Sequence, residues 1–489
     1  MKKSIVTIVL LLLGSFAFAQ TIIRESIYCP GLKDSVKYRV WLPDGYSPAK
    51  KYIVWYTVED TEDGLLAGGI SLYKNARSTP DGIVVGIIRG RALINFDFKS
   101  GLPQESGMIF LKFLTGEIIP AVEKKYSVAP FKVFMGHSYS STYANYLFLH
   151  HPGLFNGYVL FAPERWWTDE TRPVFELDSA AARYYNSHST FFYLATGTLD
   201  IPRRRAYAKE IAEKVKQLDT AQFFFRYVSQ EGAGHISIVP AAMGDALEHI
   251  FKPYLAISDV DSVPDALAFF YKTKKQLNEI YGLPLEKSNA NMGAFVQLAS
   301  MNKDKRAMDV LGEYFLDEST HGLDLFNFAY LCANMGYTEK ARAYYERCIA
   351  KSERDEMNTV QGPLNLIMAY RNISYRIYKD DNAKAWAVLE GAIRDRQMKD
   401  TLLMHYYLGR LAVDRNFRPA EGLQHLMLYV NADYKADGAP WNIFPETVDV
   451  YIGRCYLLLG DKVNARAFFE KALVEKPTNK EAKELLQKL

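Results

Sequence analysis

The spacing of apolar and polar positions along this 489-residue chain changes character partway through. Up to about residue 255, short apolar runs alternate with helical patterns. The runs predict strands at Thr21–Tyr28, Ser35–Leu42, Tyr52–Val58, Ile83–Ile88, Lys132–Met135, Tyr158–Ala162, Phe191–Thr196 and Gln222–Val228. Apolar residues spaced three and four apart predict helices over Met108–Lys125, Tyr139–His150, Arg203–Leu218 and Ala241–Phe251. Two strands followed by strand–helix alternation read as an α/β fold, a largely parallel sheet flanked by helices. Such sheets carry their sites beyond the carboxyl ends of the strands.

Val260–Pro264 reads as a boundary, followed by a helix over Asp265–Tyr281 and the break Gly282-Leu283-Pro284. Beyond it the strand pattern disappears and a helical repeat begins. Its last copy, about Glu446–Asn479, sets Gly453, Tyr456, Gly460, Ala465, Phe469, Ala472 and Pro477 at tetratricopeptide spacing. The small residues let two helices cross closely and the aromatic ones fill the gap between repeats. A second copy around Gly322–Arg354 has Gly336, Ala341, Tyr345 and Cys348, and an earlier one has Ala307 and Leu311 in register. Degenerate copies lie around Ala385–Ala392 and Tyr407–Leu428. The second half is therefore expected to be an all-α superhelix offering a surface to a protein or peptide, with a spacer or dimerisation arm as the other reading. Expected boundaries are 1–19, 20–258, 259–287 (linker and helix) and 288–489.

Residues 1–19 change the picture of location. Lys2-Lys3, the apolar run Ile5–Leu13 and Ala17-Phe18-Ala19 form the pattern of a cleaved signal peptide. The run is too short to span a bilayer, and no cysteine follows the cleavage pattern to carry a lipid. A periplasmic or secreted protein without a transmembrane anchor is expected. The net charge of +3, smaller still without the two leader lysines, gives no case for nucleic acid. Of the four cysteines, Cys332, Cys348 and Cys455 fall at small apolar repeat positions and Cys29 stands alone. They read as buried thiols, with a Cys332–Cys348 bridge left open. No metal-ligand spacing and no phosphate-binding glycine pattern occurs, so no cofactor is expected.

The chemistry gathers around Val133-Phe134-Met135-Gly136-His137-Ser138-Tyr139-Ser140. A buried strand runs into a Gly-x-Ser turn and then a helix, which is the setting of a nucleophile elbow. There the serine hydroxyl projects above the sheet and the helix N-terminus faces a developing oxyanion. Asp200 follows the strand Phe191–Thr196, and His235 follows the last strand in a glycine-flanked loop. The chain order Ser, Asp, His is that of an α/β-hydrolase. A hydroxyl needs an imidazole to take its proton, and the imidazole needs a carboxylate to hold its tautomer. Glu164 and Asp169 stand as alternatives to Asp200 for that carboxylate. His137 beside the serine reads as structural.

Residues from about 35 to 255 resemble the esterase D-like family of α/β-hydrolases, which includes siderophore, feruloyl and acetyl-xylan esterases. The resemblance rests on Lys51–Tyr56, Ile83–Ile87, Glu117-Ile118-Ile119-Pro120, Gly136-His137-Ser138, His151-Pro152 and Phe161–Trp167. It implies Ser138 as nucleophile, His235 as base and the backbone N–H of Tyr139 as one oxyanion donor. The second donor would come from the loop after Val58, at Glu59. Departures occur where the family has Gly, Asp-Gly, Ser-Pro-Ser-Leu-Trp-Trp and Arg-x-Arg-Asp. This chain reads Ser140, Glu59-Asp60, Ala162-Pro163-Glu164-Arg165-Trp166-Trp167 and Arg89-Gly90-Arg91-Ala92.

The expected activity is cofactor-free hydrolysis of a carboxylic ester through an acyl-serine. Arg89, Arg91, Arg165 and Arg203 should lie near the serine, with Trp166 and Trp167 as stacking faces. They point to a small-molecule or carbohydrate-linked ester, anionic and siderophore-like in one version. The alternative is a hydrolase-fold binding or scaffold protein of weak catalysis that acts through its repeats.

Overall fold

A computed structural model of the chain describes residues 21–59, 61–75, 79–97, 101–165, 177, 179–218, 221–255, 263–352, 362–395, 401–432 and 445–489. The expected leader, together with Asp60, Trp166, Trp167 and Asp169, lies outside these residues. The chain divides into two units, Met1–Ser262 with Ala268–Glu286, and Val263–Leu267 with Lys287–Leu489.

The first unit is built on eight strands: β1 Thr21–Cys29, β2 Asp34–Leu42, β3 Tyr52–Thr57, β4 Gly82–Ile87, β5 Val128–His137, β6 Gly157–Phe161, β7 Thr190–Gly197 and β8 Phe223–Gln230. Their order across the sheet is β1-β2-β4-β3-β5-β6-β7-β8. β2 runs antiparallel to both β1 and β4, and every later pairing is parallel. β3, β4, β6 and β7 are buried at every position. That is why their sequences are continuous apolar runs: helices cover both faces of a parallel sheet. β1, at the edge, alternates between exposed and partly covered positions.

The helices of this unit are α1 Glu62–Asn75, α2 Glu105–Phe113, α3 Ile119–Lys125, α4 Tyr139–His150, α5 Ser179–Ser187, α6 Pro202–Val215, α7 Ile238–Ile250, α8 Lys252–Leu255 and α9 Ala266–Gln276. A π-helical turn at Leu114–Ile118 joins α2 to α3, where one helix is expected from the sequence. A second, Leu277–Tyr281, extends α9 and carries Tyr281 into the sheet unit. Its ring meets Phe131 at 4.8 Å and Phe251 at 5.7 Å, and its hydroxyl donates to the Ile250 carbonyl at 2.7 Å. The periodicity does not foretell α1, because Gly64, Gly68 and Gly69 weaken its intrinsic helicity. Packing makes up the difference: Leu66, Ala67 and Ile70 are buried.

The second unit is helical in all its described elements. Antiparallel neighbours run α10 Asn289–Met301 and α11 Lys305–Phe315, α12 Gly322–Asn334 and α13 Thr338–Ser352, α14 Gly362–Asn372 and α15 Asn382–Arg394. They continue with α16 Leu402–Asp414 and α17 Pro419–Asn431, then α18 Pro445–Leu458 and α19 Lys462–Glu475, and end at α20 Lys480–Gln487. Asp304, Asp381 and Asp461 each cap the second helix of a pair, accepting a hydrogen bond from the backbone N–H three residues on. Ala465, Phe469 and Ala472 are fully buried, as tetratricopeptide spacing requires. All four cysteines are buried free thiols, so no Cys332–Cys348 bridge forms. Among the described residues no helix is long and apolar enough to cross a membrane.

Candidate active site

The sheet order sets β5 between β3 and β6, in its interior, and the chain leaves it at His137 to enter α4 at once. Ser138 occupies that corner with φ 56° and ψ −113°, a conformation an L-residue adopts only under constraint. Its N–H donates to the Phe161 carbonyl at 2.8 Å, tying the corner to β6. Gly136 is needed beneath it, since a Cβ there would lie 2.4 Å from the Ser140 backbone. The Ser140 hydroxyl completes the turn: it accepts from the His137 N–H at 2.8 Å and donates to the His137 carbonyl at 3.0 Å. The serine in place of the family's glycine thus stitches the corner together.

Three side chains from three loops converge here. His235 Nε2 lies 3.0 Å from Ser138 Oγ, and its Nδ1 lies 3.0 Å from Asp200 Oδ2. The loops bearing Asp200 and His235 are joined by their backbones. The Leu199 N–H donates to the Ala233 carbonyl and the Gly232 N–H to Thr198 Oγ1, both at 2.9 Å. Gly197 permits this approach, for a Cβ there would sit 2.0 Å from the Ala233 oxygen.

Electrostatics gives the three groups different tasks. Burial pushes the Asp200 carboxyl up, but hydrogen bonds from His235, the Ile201 N–H and Arg204 outweigh it and hold the group below its ordinary range. Burial pushes the His235 imidazole down. Asp200 pulls it up, His137 and Arg204 push it further down, and the balance lies below the ordinary value.

Glu164 does not reach the imidazole. It is buried, and its carboxylate takes Arg203 Nη2 at 2.5 Å and Arg204 Nε and Nη2 at 3.0 and 2.7 Å. Arg204 then reaches Asp200 Oδ1 at 3.0 Å, so Glu164 touches the constellation only through an arginine. Arg203 stays largely exposed on the outer side of that pair. Arg91 lies over the Tyr139 ring, 5.9 Å from its centroid, and its N–H donates to the Val58 carbonyl at 3.0 Å. Arg89 precedes it in left-handed backbone, at φ 56°. Arg165 is partly buried at the end of the segment after β6.

Tyr139 opens α4, and its hydroxyl accepts the Phe96 N–H at 2.7 Å. The Glu59 N–H lies 3.3 Å from Thr57 Oγ1. Burial, with Glu62 adding to it, pushes the Glu59 carboxyl up.

Sequence reasoning passes over one feature. His137 Nδ1 lies 2.6 Å from Glu62 Oε1, and its Nε2 lies 2.8 Å from the backbone oxygen of His235. Glu62 is the first residue of α1 and has no periodic or motif signal; only the tertiary fold brings it to β5. Among the described residues no group of three or more potential metal ligands forms.

Residues 30–236 match the family described as Putative esterase, and residues 325–350 match a tetratricopeptide repeat. The chain thus joins an α/β unit, most of which matches an esterase family, to a helical unit that contains a tetratricopeptide-repeat match. Among solved structures, an uncharacterised protein from Capnocytophaga ochracea is similar at 15% identity and a TM-score of 0.55, over 71% of this chain and 99% of its own. An IroE-like serine hydrolase from Shewanella oneidensis is similar at 17% identity and a TM-score of 0.47, over 60% of this chain and 100% of its own. No curated protein matches the chain.

Proposed function

We propose that this protein is an exported serine esterase that cleaves a carboxylic ester through an acyl-serine. One observation carries the reading: Ser138, held in a strained corner, lies within 3.0 Å of a His235 that is itself 3.0 Å from Asp200. Ser138 Oγ attacks the ester carbonyl carbon while its proton passes to His235 Nε2, and the carbonyl electron pair moves onto oxygen. The backbone N–H groups of Tyr139 and Glu59 are read as receiving that oxyanion, the Glu59 N–H exchanging its 3.3 Å bond to Thr57 Oγ1 for it. Collapse of the intermediate breaks the bond to the alcohol, which leaves with the proton from His235. Water then repeats the sequence against the acyl-serine. Asp200 holds the imidazole in the tautomer with Nε2 unprotonated, and the lowered basicity of His235 keeps it a neutral base near neutrality.

The substrate is read as an anionic ester, siderophore-like or carbohydrate-linked. Arg91, over the ring of Tyr139 next to the serine, supports this; Arg203 is largely exposed, with its guanidinium already paired to Glu164. The helical unit is read as a surface for a protein or peptide. Its α12, α14, α16 and α18 region carries arginines stacked on tyrosines, Arg376 on Tyr330 and Arg371 on Tyr375 and Tyr407 among them.

Labelling by a fluorophosphonate serine probe tests the chemistry. The full chain should be labelled and Ser138→Ala should not; labelling of both, or of neither, sinks the reading. For the substrate class, an anionic and a neutral ester of matched size are compared. The anionic ester should have the higher kcat/KM at low ionic strength and lose that advantage as salt screens the arginines.

A further inference from the structure

The position of His137 has a consequence that does not depend on its neighbour's reactivity. Both of its ring nitrogens face oxygen acceptors: Nδ1 the Glu62 carboxylate at 2.6 Å, and Nε2 the His235 carbonyl at 2.8 Å. A carbonyl oxygen has no proton to give, and an ionised carboxylate has none either. A neutral imidazole donates from one nitrogen only, so one of the two contacts would set lone pair against lone pair. With Glu62 ionised, only the imidazolium satisfies both. The ring is nearly excluded from solvent, as is Glu62, so water does not relieve the conflict.

The target of the second proton matters. The upstream half of the loop bearing His235 is tied down by the β7 loop, through Leu199 and Thr198. The turn around His235 is closed by Gly234, whose N–H donates to Ser237 Oγ at 2.8 Å and whose carbonyl accepts the Ile238 N–H at 3.1 Å, and the His235 carbonyl itself takes the bond from His137. Immediately beyond, Ile236 is 73% exposed and has little packing to hold it. The two imidazoles lie against each other at a tilt, with centroids 4.8 Å apart and planes at 39°.

We propose that Glu62 and His137 are positioning residues for the hydrolysis: Glu62 holds His137 as a buried imidazolium, and this cation clamps the His235 backbone while its charge opposes protonation of the His235 ring. The inference rests on the esterase reading for its effect on rate, but not for the charge state of His137. The groups facing His137 are Glu62 from α1, Glu59 from the loop after β3, and His235. Arg91 offsets part of the Glu59 charge, and Asp200 and Arg204 act on His235 from the far side. Burial pushes the His137 ring down, and the Glu62 bond and charge, the His235 carbonyl and the Glu59 charge together raise it above the ordinary value.

Two substitutions separate the clamp from the charge. In Glu62→Gln the amide can donate to Nδ1 while Nε2–H still reaches the His235 carbonyl, so the clamp survives on a neutral ring. In His137→Phe both are lost. With p-nitrophenyl acetate and the full chain, Glu62→Gln should keep kcat within roughly threefold. It should move the acid limb of kcat/KM alkaline by about half a unit or more, because a like charge beside His235 is gone. His137→Phe should lower kcat by roughly a hundredfold with little change in KM, the cost of a misplaced base. An acid limb unmoved in Glu62→Gln overturns the charge role, and a His137→Phe kcat within twofold of wild type overturns the clamp. Ring ¹⁵N shifts of the full chain provide a readout that needs no activity. His137 should show two protonated nitrogens near neutrality in the wild type and one in Glu62→Gln. A neutral His137 in the wild type overturns the inference even if the esterase is active. A wild type with an imidazolium but no hydrolysis overturns the esterase reading and the positioning role with it, leaving only the charge assignment.

Discussion

Each unit of this protein contains a pair of histidines with their rings tilted against each other, and the two pairs have nearly the same ring geometry. His137 and His235 lie 4.8 Å apart at 39°; His405 on α16 and His425 on α17 lie 4.9 Å apart at 41°. Their surroundings differ. In the first pair the nitrogens bond outward, to Glu62, the His235 carbonyl, Ser138 and Asp200. In the second the two Nδ1 atoms bond each other at 2.7 Å, so one ring donates and the other accepts. Burial lowers His405, and burial with the neighbouring His405 lowers His425, so this pair stays neutral. Ring contact therefore does not decide charge. Facing acceptors make an imidazolium of His137, and a facing imidazole keeps His405 and His425 neutral.

The sharpest way to break this comparison is to remove one member of each pair. His235→Ala should lower esterase kcat/KM by at least about a thousandfold, since the serine loses its base. His425→Ala should leave it within about twofold. Similar losses from both would mean that the first pair has no special chemical role. Within the same site, Asp200→Asn should cost roughly a hundredfold or more, whereas Glu164→Gln should cost about tenfold by loosening Arg204. The reverse ranking would make Glu164 the orienting acid.

The contrast also explains what could be read before the fold was known. Ser138, Asp200 and His235 are legible because each follows a predicted strand, and because chain order and flanking glycines have chemical meaning. The α/β sheet and the repeats are legible for a similar reason, since their periodicities are local. Glu62 and His137 form a contact between β5 and a helix whose glycines hide it, so no local pattern marks the pair. Ser140 reads as a departure from a motif because its two bonds to the His137 backbone exist only once the corner has formed. The arginines divide on the same principle. The sequence sets Arg203 and Arg204 near the sheet edge, and only the fold shows both bonded to the buried Glu164.

Separating the units sharpens the comparison at intermediate cost. A chain ending at Glu286 keeps Tyr281 on Phe131, Phe191 and Phe251 and should retain esterase activity within about twofold. A chain ending at residue 258 removes that ring and leaves its aromatic neighbours uncovered. By analogy with deleting a buried aromatic side chain, the shorter form should lose about 3–5 kcal/mol. For a unit of this size that lowers Tm by roughly ten degrees. Thermal melts of the two truncated chains check it, and equal Tm values would show that Tyr281 contributes little to the first unit.

The smallest expected effect is in how the two pairs respond to pH, and there the signs oppose. His405 and His425 have folded values below the ordinary one, so under mild acid the unfolded chain binds more protons than the folded chain. Their contribution is complete above the unfolded value, about 6.5, and is lost as pH falls below it. His137 has a raised folded value, so its contribution is present below about 6.5 and is lost as pH rises through the folded value. Hydrogen exchange can follow each place separately. Amides of α16 and α17 should open more readily as pH drops from neutrality toward 5, after correction for the intrinsic exchange rate. Protection near the β5–α4 corner should weaken on the alkaline side instead. His425→Gln should roughly halve the acid response of α16 and α17, since one titrating ring remains. Titration of His151, His235 and His249, also lowered, adds acid sensitivity to the first unit, so the alkaline limb is the one that isolates His137. If α16 and α17 lose protection on the alkaline side, or if His425→Gln leaves their acid response unchanged, the neutral assignment of the second pair is wrong.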